Sequence, residues 1–256
     1  MTTQATAGRL SLAQLLQLRR WNTPTICNGW ERVTAPGRRP LTNTEETHDF
    51  MPHLGPMVGY AATVVIEPAK PEHSVRTANC WSQYRRYIAG VRGPKIVVVQ
   101  DLDKPRTTLA FWGEVRGSMH AALGCVGTIT DGAIRDIDEL TAVGFKAIAR
   151  RLSVGAVRCC PVAWGCDVEV FGCNVRPGQL IHADKHGFLV IPEEDEPALL
   201  DAALFLDAAE CNTVIAASHN TAGKPVDELL AALDTATEAY QAAVRLHFGH
   251  GNGEHQ

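Results

Sequence analysis

The sequence predicts a single α/β domain, on three observations. Short β-branched runs alternate with helical patterns from residue 57 to 149, compact hairpin-like strands take over from 161, and long helical patterns return after 195. Strands that recur every thirty residues or so with a helix between them call for parallel pairing through right-handed crossovers.

Taken in order, Ser11 precedes Leu12, Leu15, Leu16 and Trp21 at helical spacing, so 11 to 21 reads as a capped helix. Residues 22 to 56 are dense in Pro, Gly, Asn and Thr and read as irregular connection. The run MVGYAATVVIE predicts a strand over 57 to 66, closed by Pro68 and Pro71, and 74 to 89 follows as a helix. KIVVVQDLD, from 95, has the composition of a strand buried on both faces. In FWGEVRGSMHAALG the spacing of Trp112, Val115, Met119 and Ala122 predicts a helix that turns those four inward. CVGTIT predicts a strand over 125 to 130 that ends at an Asp131-Gly132 turn, before a helix at 137 to 143 and a strand at 145 to 149. PVAW, VEVFGCNV, GQLIHAD and GFLVIP are antiparallel strands, 195 to 217 and 225 to 247 are helices, and HFGHGNGEHQ is a polar tail. With no repeat and no low-complexity linker, 1 to 256 is one domain.

Composition narrows the function. Lys plus Arg number 24 against 28 Asp plus Glu, with no basic cluster, so no nucleic-acid partner is expected. No apolar run approaches the ~18 residues of a membrane helix, and the N-terminus lacks a leader's apolar stretch, so a cytoplasmic protein without membrane contact is expected. The eight cysteines include an adjacent pair, Cys159-Cys160, and no C-x-x-C. That pattern reads as reduced, buried small side chains, not as a disulfide scaffold or zinc knuckle.

Sites in open α/β sheets gather at the carboxyl ends of the strands. Two such ends are acidic: Gln100-Asp101-Leu102-Asp103, and Thr130-Asp131-Gly132-Ala133-Ile134-Arg135-Asp136. The second combines a guanidinium that can grip a carboxylate with an acid that can hold a hydrated divalent cation, which suits a small oxoacid. Its plain structural reading is a surface turn in which Arg135 pairs with Asp131 or Asp138. The histidines at 120, 182 and 186 read as satisfied or exposed side chains, and Trp164-Gly165-Cys166 reads as packing, because no serine or paired base accompanies the thiol.

The stretch Trp112-Gly113-Glu114, followed by Gly124-Cys125-Val126-Gly127 and then Asp131-Gly132-Ala133-Ile134-Arg135-Asp136, resembles the signature of the RraA-like proteins and the 4-hydroxy-4-methyl-2-oxoglutarate (4-carboxy-4-hydroxy-2-oxoadipate) aldolases. A second block is similar too: Gly172 to Gly178, then Ala183-Asp184-Lys185-His186-Gly187 to Pro192. The resemblance spans about 12 to 215, leaving an extra C-terminal helix and tail over 218 to 256. It implies an RraA-like swivelling β/β/α layered sandwich with a central mixed sheet and C-terminal helices. It further implies metal-dependent class II cleavage of a short anionic 2-oxoacid, or decarboxylation of oxaloacetate, to give pyruvate with Mg²⁺ or Mn²⁺. By position, Arg135 would contact the substrate, and Asp136 would ligate the metal. The amides of Val115 and Arg116 would receive the substrate carboxylate, and Glu114 would order a catalytic water. Glu210 would serve as an acid delivered by a neighbouring subunit of a homotrimer or homohexamer. The alternatives are a lyase or hydratase acting on another oxoacid, with Arg116 and segment 36 to 56 reshaping the pocket, and a non-catalytic regulator that binds a ribonuclease. Departures from the pattern are Gln179 where the family has aspartate, Lys185-His186 in the second block, and Arg116 itself, whose side chain faces either solvent or substrate on this reading.

Overall fold

The computed structural model describes residues 9 to 70 and 77 to 249. The start of the helix expected at 74 and most of the C-terminal polar tail therefore lie outside the described residues. Four parallel strands form the centre: β3 (Met57–Ile66), β4 (Lys95–Asp101), β6 (Cys125–Ile134) and β7 (Lys146–Leu152). Antiparallel strands extend the sheet on both sides, in the order β1 (Leu41–Thr42), β12 (Gly187–Ile191), β11 (Leu180–Asp184), β3, β4, β6, β7, β2 (His48–Asp49). Two short strands pair off this path: β5 (Ala110–Trp112) with β6, and β8 (Ala163–Trp164) with β3. The expected mixed sheet is therefore present.

Alternation along the strands sorts their side chains into two cores. Ala62, Val64, Val97, Val99, Ala147 and Ala149 face the helical layer of α3 (Thr77–Gly90), α4 (Glu114–Ala122) and α5 (Ile137–Ala142), where Tyr84, Ile88, Leu140 and Phe145 meet them. Ala61, Ile96, Val98, Ile129 and Ile148 face the other way, onto a hairpin of β9 (Val168–Val170) and β10 (Cys173–Val175) capped by Phe171. Beside the first core, Leu15, Leu18, Ile26, Trp30, Leu199 and Ala203 bring α1 (Leu12–Leu18), α2 (Thr23–Val33) and α6 (Glu196–Glu210) onto Val58, Tyr60, Leu189 and Ile191. Small hairpin, central sheet and helices make the three layers that the resemblance implied. α6 runs through a π turn over Cys211–Ile215 into α7 (Ala216–His219), and α8 (Val226–Phe248) packs back on it.

Four expectations need correction. Residues 22 to 56 contain α2: Asn22 caps it by accepting from the Thr25 N–H at 2.9 Å, and Pro24 stands in the first turn, where a missing N–H costs nothing. Its polar content hid the buried pair Ile26 and Trp30. Asp131-Gly132 is no turn, because β6 runs on to Ile134 with both residues buried. Phe111 and Trp112 belong to β5, and the inward residues of α4 are Gly117 and His120, leaving Val115 65% and Met119 45% exposed. Gly117 decides that helix face, since a Cβ there would stand 2.1 Å from Leu140 Cδ2. Lastly, Cys80 and Cys160 form a disulfide, and Cys211 is exposed. Cys125, Cys159 and Cys173 are buried thiols, as expected.

Candidate active site

Two strand-to-helix junctions lie side by side, because β5 pairs in parallel with the end of β6. One runs from Trp112 through Gly113 into α4, and the other from Ile134 through Arg135 and Asp136 into α5. The Arg135 N–H donates to the Trp112 carbonyl at 3.0 Å, which fixes the two together. Asp136 takes a left-handed conformation, φ 56° and ψ 52°, one of two such non-glycine residues described. A side chain rarely adopts that region unless its surroundings hold it, and such positions cluster at functional sites.

What holds Asp136 is visible. Its Oδ2 accepts from the Glu114 N–H at 3.0 Å and lies 3.4 Å from Arg135 Nε. Arg135 Nη1 donates to the Val154 carbonyl at 3.3 Å. Gly113 makes this closeness possible: a Cβ there would come 2.5 Å from Asp136 Oδ2 and 3.1 Å from Arg135 Nε. Arg135 therefore pairs with Asp136, and with neither Asp131 nor Asp138.

The start of α4 offers further donors. Its first intrahelical bond from an N–H is that of Gly117 to the Gly113 carbonyl, so the amides of Val115 and Arg116 have no acceptor among the described residues. Free amides at a helix start attract anions. The structure thus gathers Glu114, Val115, Arg116, Arg135 and Asp136 at one place.

The Arg116 side chain is partly buried and folds back onto the protein. Its guanidinium donates to the carbonyl of Phe111 and, at 3.2 Å, to that of Val157. It lies over the rings of Phe111 at 4.3 Å and Trp81 at 4.9 Å. Burial lowers its pKa, and the neighbouring Arg135 charge acts in the same direction. Glu210 stands elsewhere in the chain, at the end of α6 beside the Tyr240 phenol, whose pKa rises through burial and then through the Glu210 charge.

The other acidic strand end forms an internal network. The Asp101 N–H donates to Asp131 Oδ1 at 2.8 Å, the Asp103 N–H donates to Asp101 Oδ1 at 3.0 Å, and the Lys104 ammonium lies 3.0 Å from Asp131 Oδ2. Burial pushes the Asp101 carboxyl up to about 7. Among the histidines, His120 is buried between Tyr84 Oη at 2.8 Å and the Arg116 carbonyl at 2.7 Å, and His182 between Thr23 Oγ1 and the Leu18 carbonyl.

Among the described residues no three His, Cys, Asp or Glu side chains gather to hold a metal ion. A cation here would rest on one carboxylate and on water. Asp136 fits that use: Oδ2 is held by the Glu114 amide, Oδ1 has no protein partner among the described residues, and the side chain is 30% exposed. Hard divalent ions commonly bind through one or two carboxylates while keeping most of their waters.

Sequence reasoning missed the segment from Ser153 to Val162, whose carbonyls at Val154 and Val157 hold Arg135 and Arg116. Backbone acceptors leave no residue-type signal, and only the small, β-branched run SVGAV marks the segment.

Residues 23–190 match the RraA-like family model, described as Aldolase/RraA. An uncharacterised protein of Methanocaldococcus jannaschii is 23% identical over 189 residues, 73% of this chain and 80% of that relative. A Halalkalibacterium halodurans protein, provisionally named 4-hydroxy-4-methyl-2-oxoglutarate aldolase, is 33% identical over 111 residues; the match covers 43% of this chain and about half, 52%, of that relative. Among solved structures, an uncharacterised protein of Pseudomonas syringae pv. tomato aligns with a TM-score of 0.65 at 19% identity, over 90% of this chain and 99% of its own. A Streptomyces coelicolor protein, described as an unusual member of the RNase ES inhibitor RraA family, aligns with a TM-score of 0.60 at 20% identity, over 80% and 96%. No helix among the described residues is long and apolar enough to cross a membrane. With a family model spanning well over half its length and the same layered fold in its structural neighbours, the chain belongs to the RraA-like family.

Proposed function

We propose that the protein is a carbon–carbon lyase, which cleaves a short anionic 2-oxoacid to pyruvate with the help of Mg²⁺ or Mn²⁺. The observation that carries this reading is the junction itself: a guanidinium, the carboxylate of a left-handed residue with one oxygen unpartnered among the described residues, and two helix amides likewise without an acceptor lie together. A purely binding surface has no need of that set.

On this reading the amides of Val115 and Arg116 receive the substrate carboxylate, and Arg135 points its guanidinium at the carboxylate and the 2-oxo oxygen. Asp136 Oδ1 would hold the cation, which supplies Lewis acidity to the oxo group when bound. Glu114, exposed at the first turn of α4, holds a water that takes the proton of the substrate's 4-hydroxyl group. As the carbon–carbon bond breaks, its electron pair forms the C2–C3 double bond and the carbonyl pair moves to the 2-oxo oxygen, where the Arg135 charge stabilises the enolate; a proton returned to C3 from the Glu114-held water completes pyruvate. Loss of CO₂ from oxaloacetate delivers the same electrons to the same oxygen. A donor at a developing oxyanion contributes roughly 3–4 kcal/mol, so Arg135→Ala should slow turnover by about two to three orders of magnitude. Glu210 is assigned to the neighbouring subunit's site in a trimer or a dimer of trimers.

The test is pyruvate release from oxaloacetate and from 4-hydroxy-4-methyl-2-oxoglutarate, with Mg²⁺, with Mn²⁺ and with chelator. Cation-dependent release that disappears in Asp136→Ala supports the reading. No release with either cation, or unchanged kinetics in Asp136→Ala, overturns it, and a monomer with full activity removes Glu210 from the site.

A further inference from the structure

We propose that Arg116 is a positioning residue, whose guanidinium clasps the 153–162 segment and so sets both the aim of Arg135 and the angle of the α4 amides. The inference rests on the lyase reading above and adds to it a residue whose side chain touches no substrate.

Three pieces of the fold meet at this guanidinium. Phe111 lies in β5, Val157 in the 153–162 segment and Trp81 in α3. The Val157 anchor stands three residues from Val154, whose carbonyl is the backbone acceptor of Arg135 Nη1. The segment is tied on either side of Val154 as well: the Ser153 hydroxyl donates to the Thr108 carbonyl at 2.6 Å, and the Ala110 N–H donates to the Gly155 carbonyl at 2.7 Å. Beyond Val157, Cys160 is joined to Cys80, the residue before Trp81. α3 therefore grips the segment twice, once through sulfur and once through the indole under Arg116.

The backbone of Arg116 carries the second consequence. Its own N–H is one of the two free amides, and its carbonyl is the acceptor of buried His120. A guanidinium fixed to the carbonyl of Phe111, five residues earlier, closes a loop around Gly113 and holds the first turn of α4 at a set angle to β5. A planar fork carries its donors on separate nitrogens and so spans two carbonyls that lie apart, whereas an ammonium gathers its donors on a single atom. Burying such a charge is costly unless it is bonded, so a cation held in this place by two carbonyls and two rings calls for a role.

The experiment uses the full chain and the pyruvate assay with Mg²⁺. Arg116→Ala opens a space lined by the Phe111 and Val157 carbonyls and the Trp81 ring. The expected result is a fall in kcat/KM of roughly a hundredfold, the usual effect of a misplacement near 1 Å. Added guanidinium ion, at millimolar and non-denaturing concentration, should recover at least a tenth of the lost activity, while equal concentrations of ammonium or NaCl should not. A merely structural loss would show no such selectivity. Arg116→Lys guards against misfolding: it keeps charge and stem but loses the fork that spans both carbonyls, and it should retain the wild-type melting midpoint within a few degrees while losing about tenfold in kcat/KM. Wild-type kinetics in Arg116→Lys, or an Arg116→Ala defect that guanidinium fails to rescue, overturns the proposal. Wild type that releases no pyruvate fails the lyase reading and this proposal with it, an outcome distinct from active wild type with an indifferent Arg116.

Discussion

Adding one methyl group at Gly113 tests the site without removing any functional group. Its backbone, at φ −167° and ψ −176°, is open to alanine, so no dihedral strain enters. The new Cβ would stand 2.5 Å from Asp136 Oδ2, 3.1 Å from Arg135 Nε and 3.2 Å from Arg135 Cγ. Ordinary contact begins near 3.4 Å, so the carboxylate must withdraw by about 0.9 Å. That movement breaks the 3.0 Å bond from the Glu114 N–H, an interaction with a charged acceptor worth about 1.5–3 kcal/mol, and it rotates both functional side chains together. A displacement of this size in a reacting constellation costs about a hundredfold in rate. Overpacking itself costs about 1–3 kcal/mol, or a few degrees of melting temperature in a chain of this length. Gly113→Ala should therefore lose about a hundredfold in kcat/KM for pyruvate release while melting no more than about ten degrees lower. Gly90→Ala is the matched control, since its Cβ would meet nothing within 4 Å. Activity within twofold of wild type in Gly113→Ala would refute the claim that Asp136 and Arg135 work in the observed positions.

Other perturbations read the surrounding structure. Reduction of Cys80–Cys160, which closes a span of 80 residues, should lower stability by about 4.5 kcal/mol in the chain-entropy view. Calorimetry with and without reductant measures it, and an unchanged transition argues against the bridge. Acid titration should show opposing contributions. His120 and His182, lowered by burial to about 4, stay neutral in the fold but charge in the unfolded chain, so their contribution is present above pH 6.5 and lost as pH falls. Asp101 and Glu196, raised by burial to about 7, do the reverse: they are protonated in the fold and ionised when unfolded, so their contribution fades as pH rises from 4 to 7. These contributions oppose one another between pH 5 and 6, and Glu196→Gln should make stability fall more steeply with acidification than in wild type, by about 1 kcal/mol per pH unit. Parallel profiles from urea titrations of the two proteins would contradict this.

The layers were legible in the sequence because β3, β4, β6 and β7 carry the β-branched runs that a sheet covered on both faces demands. α2 was not: its buried face is only Ile26 and Trp30 beside the small Thr23 and Gly29, and Gly29 is there for close approach to Ala203 of α6. The identities of Glu114, Arg135 and Asp136 stood out through ordered motifs, whereas the partners that orient them did not. Val154 and Val157 act through carbonyls, which any residue possesses. The sequence left the Arg116 side chain between solvent and substrate, because the Trp81 and Phe111 rings it lies over arrive from segments 35 and 5 residues away. The disulfide was hidden in the same way, by 80 residues of separation.

Asp131-Gly132 reads as a turn for a reason that bears on the site. Beside β7, the pairing of β6 steps from Thr130 opposite Ala149 to Ala133 opposite Arg151, three residues against two. One extra residue in a strand is a bulge, and bulges redirect the side chains that follow. Without it, every later residue of β6 would exchange faces, because side chains alternate along a strand. Ile134 would then leave the helical core it shares with Trp112 and Leu140, and Arg135 would swing away from the Val154 carbonyl. The bulge is stabilised from within: Gly132 leaves room for Asp101, whose Oδ2 would lie 2.8 Å from a Cβ there, and the Gly132 N–H donates to Thr130 Oγ1 at 3.1 Å. Asp131 anchors it through the Asp101 amide and Lys104. The buried acids of the first strand end thus act as the footing of the second, and the two acidic motifs form one construction, in which Asp101 and Asp131 set the register that presents Arg135 and Asp136.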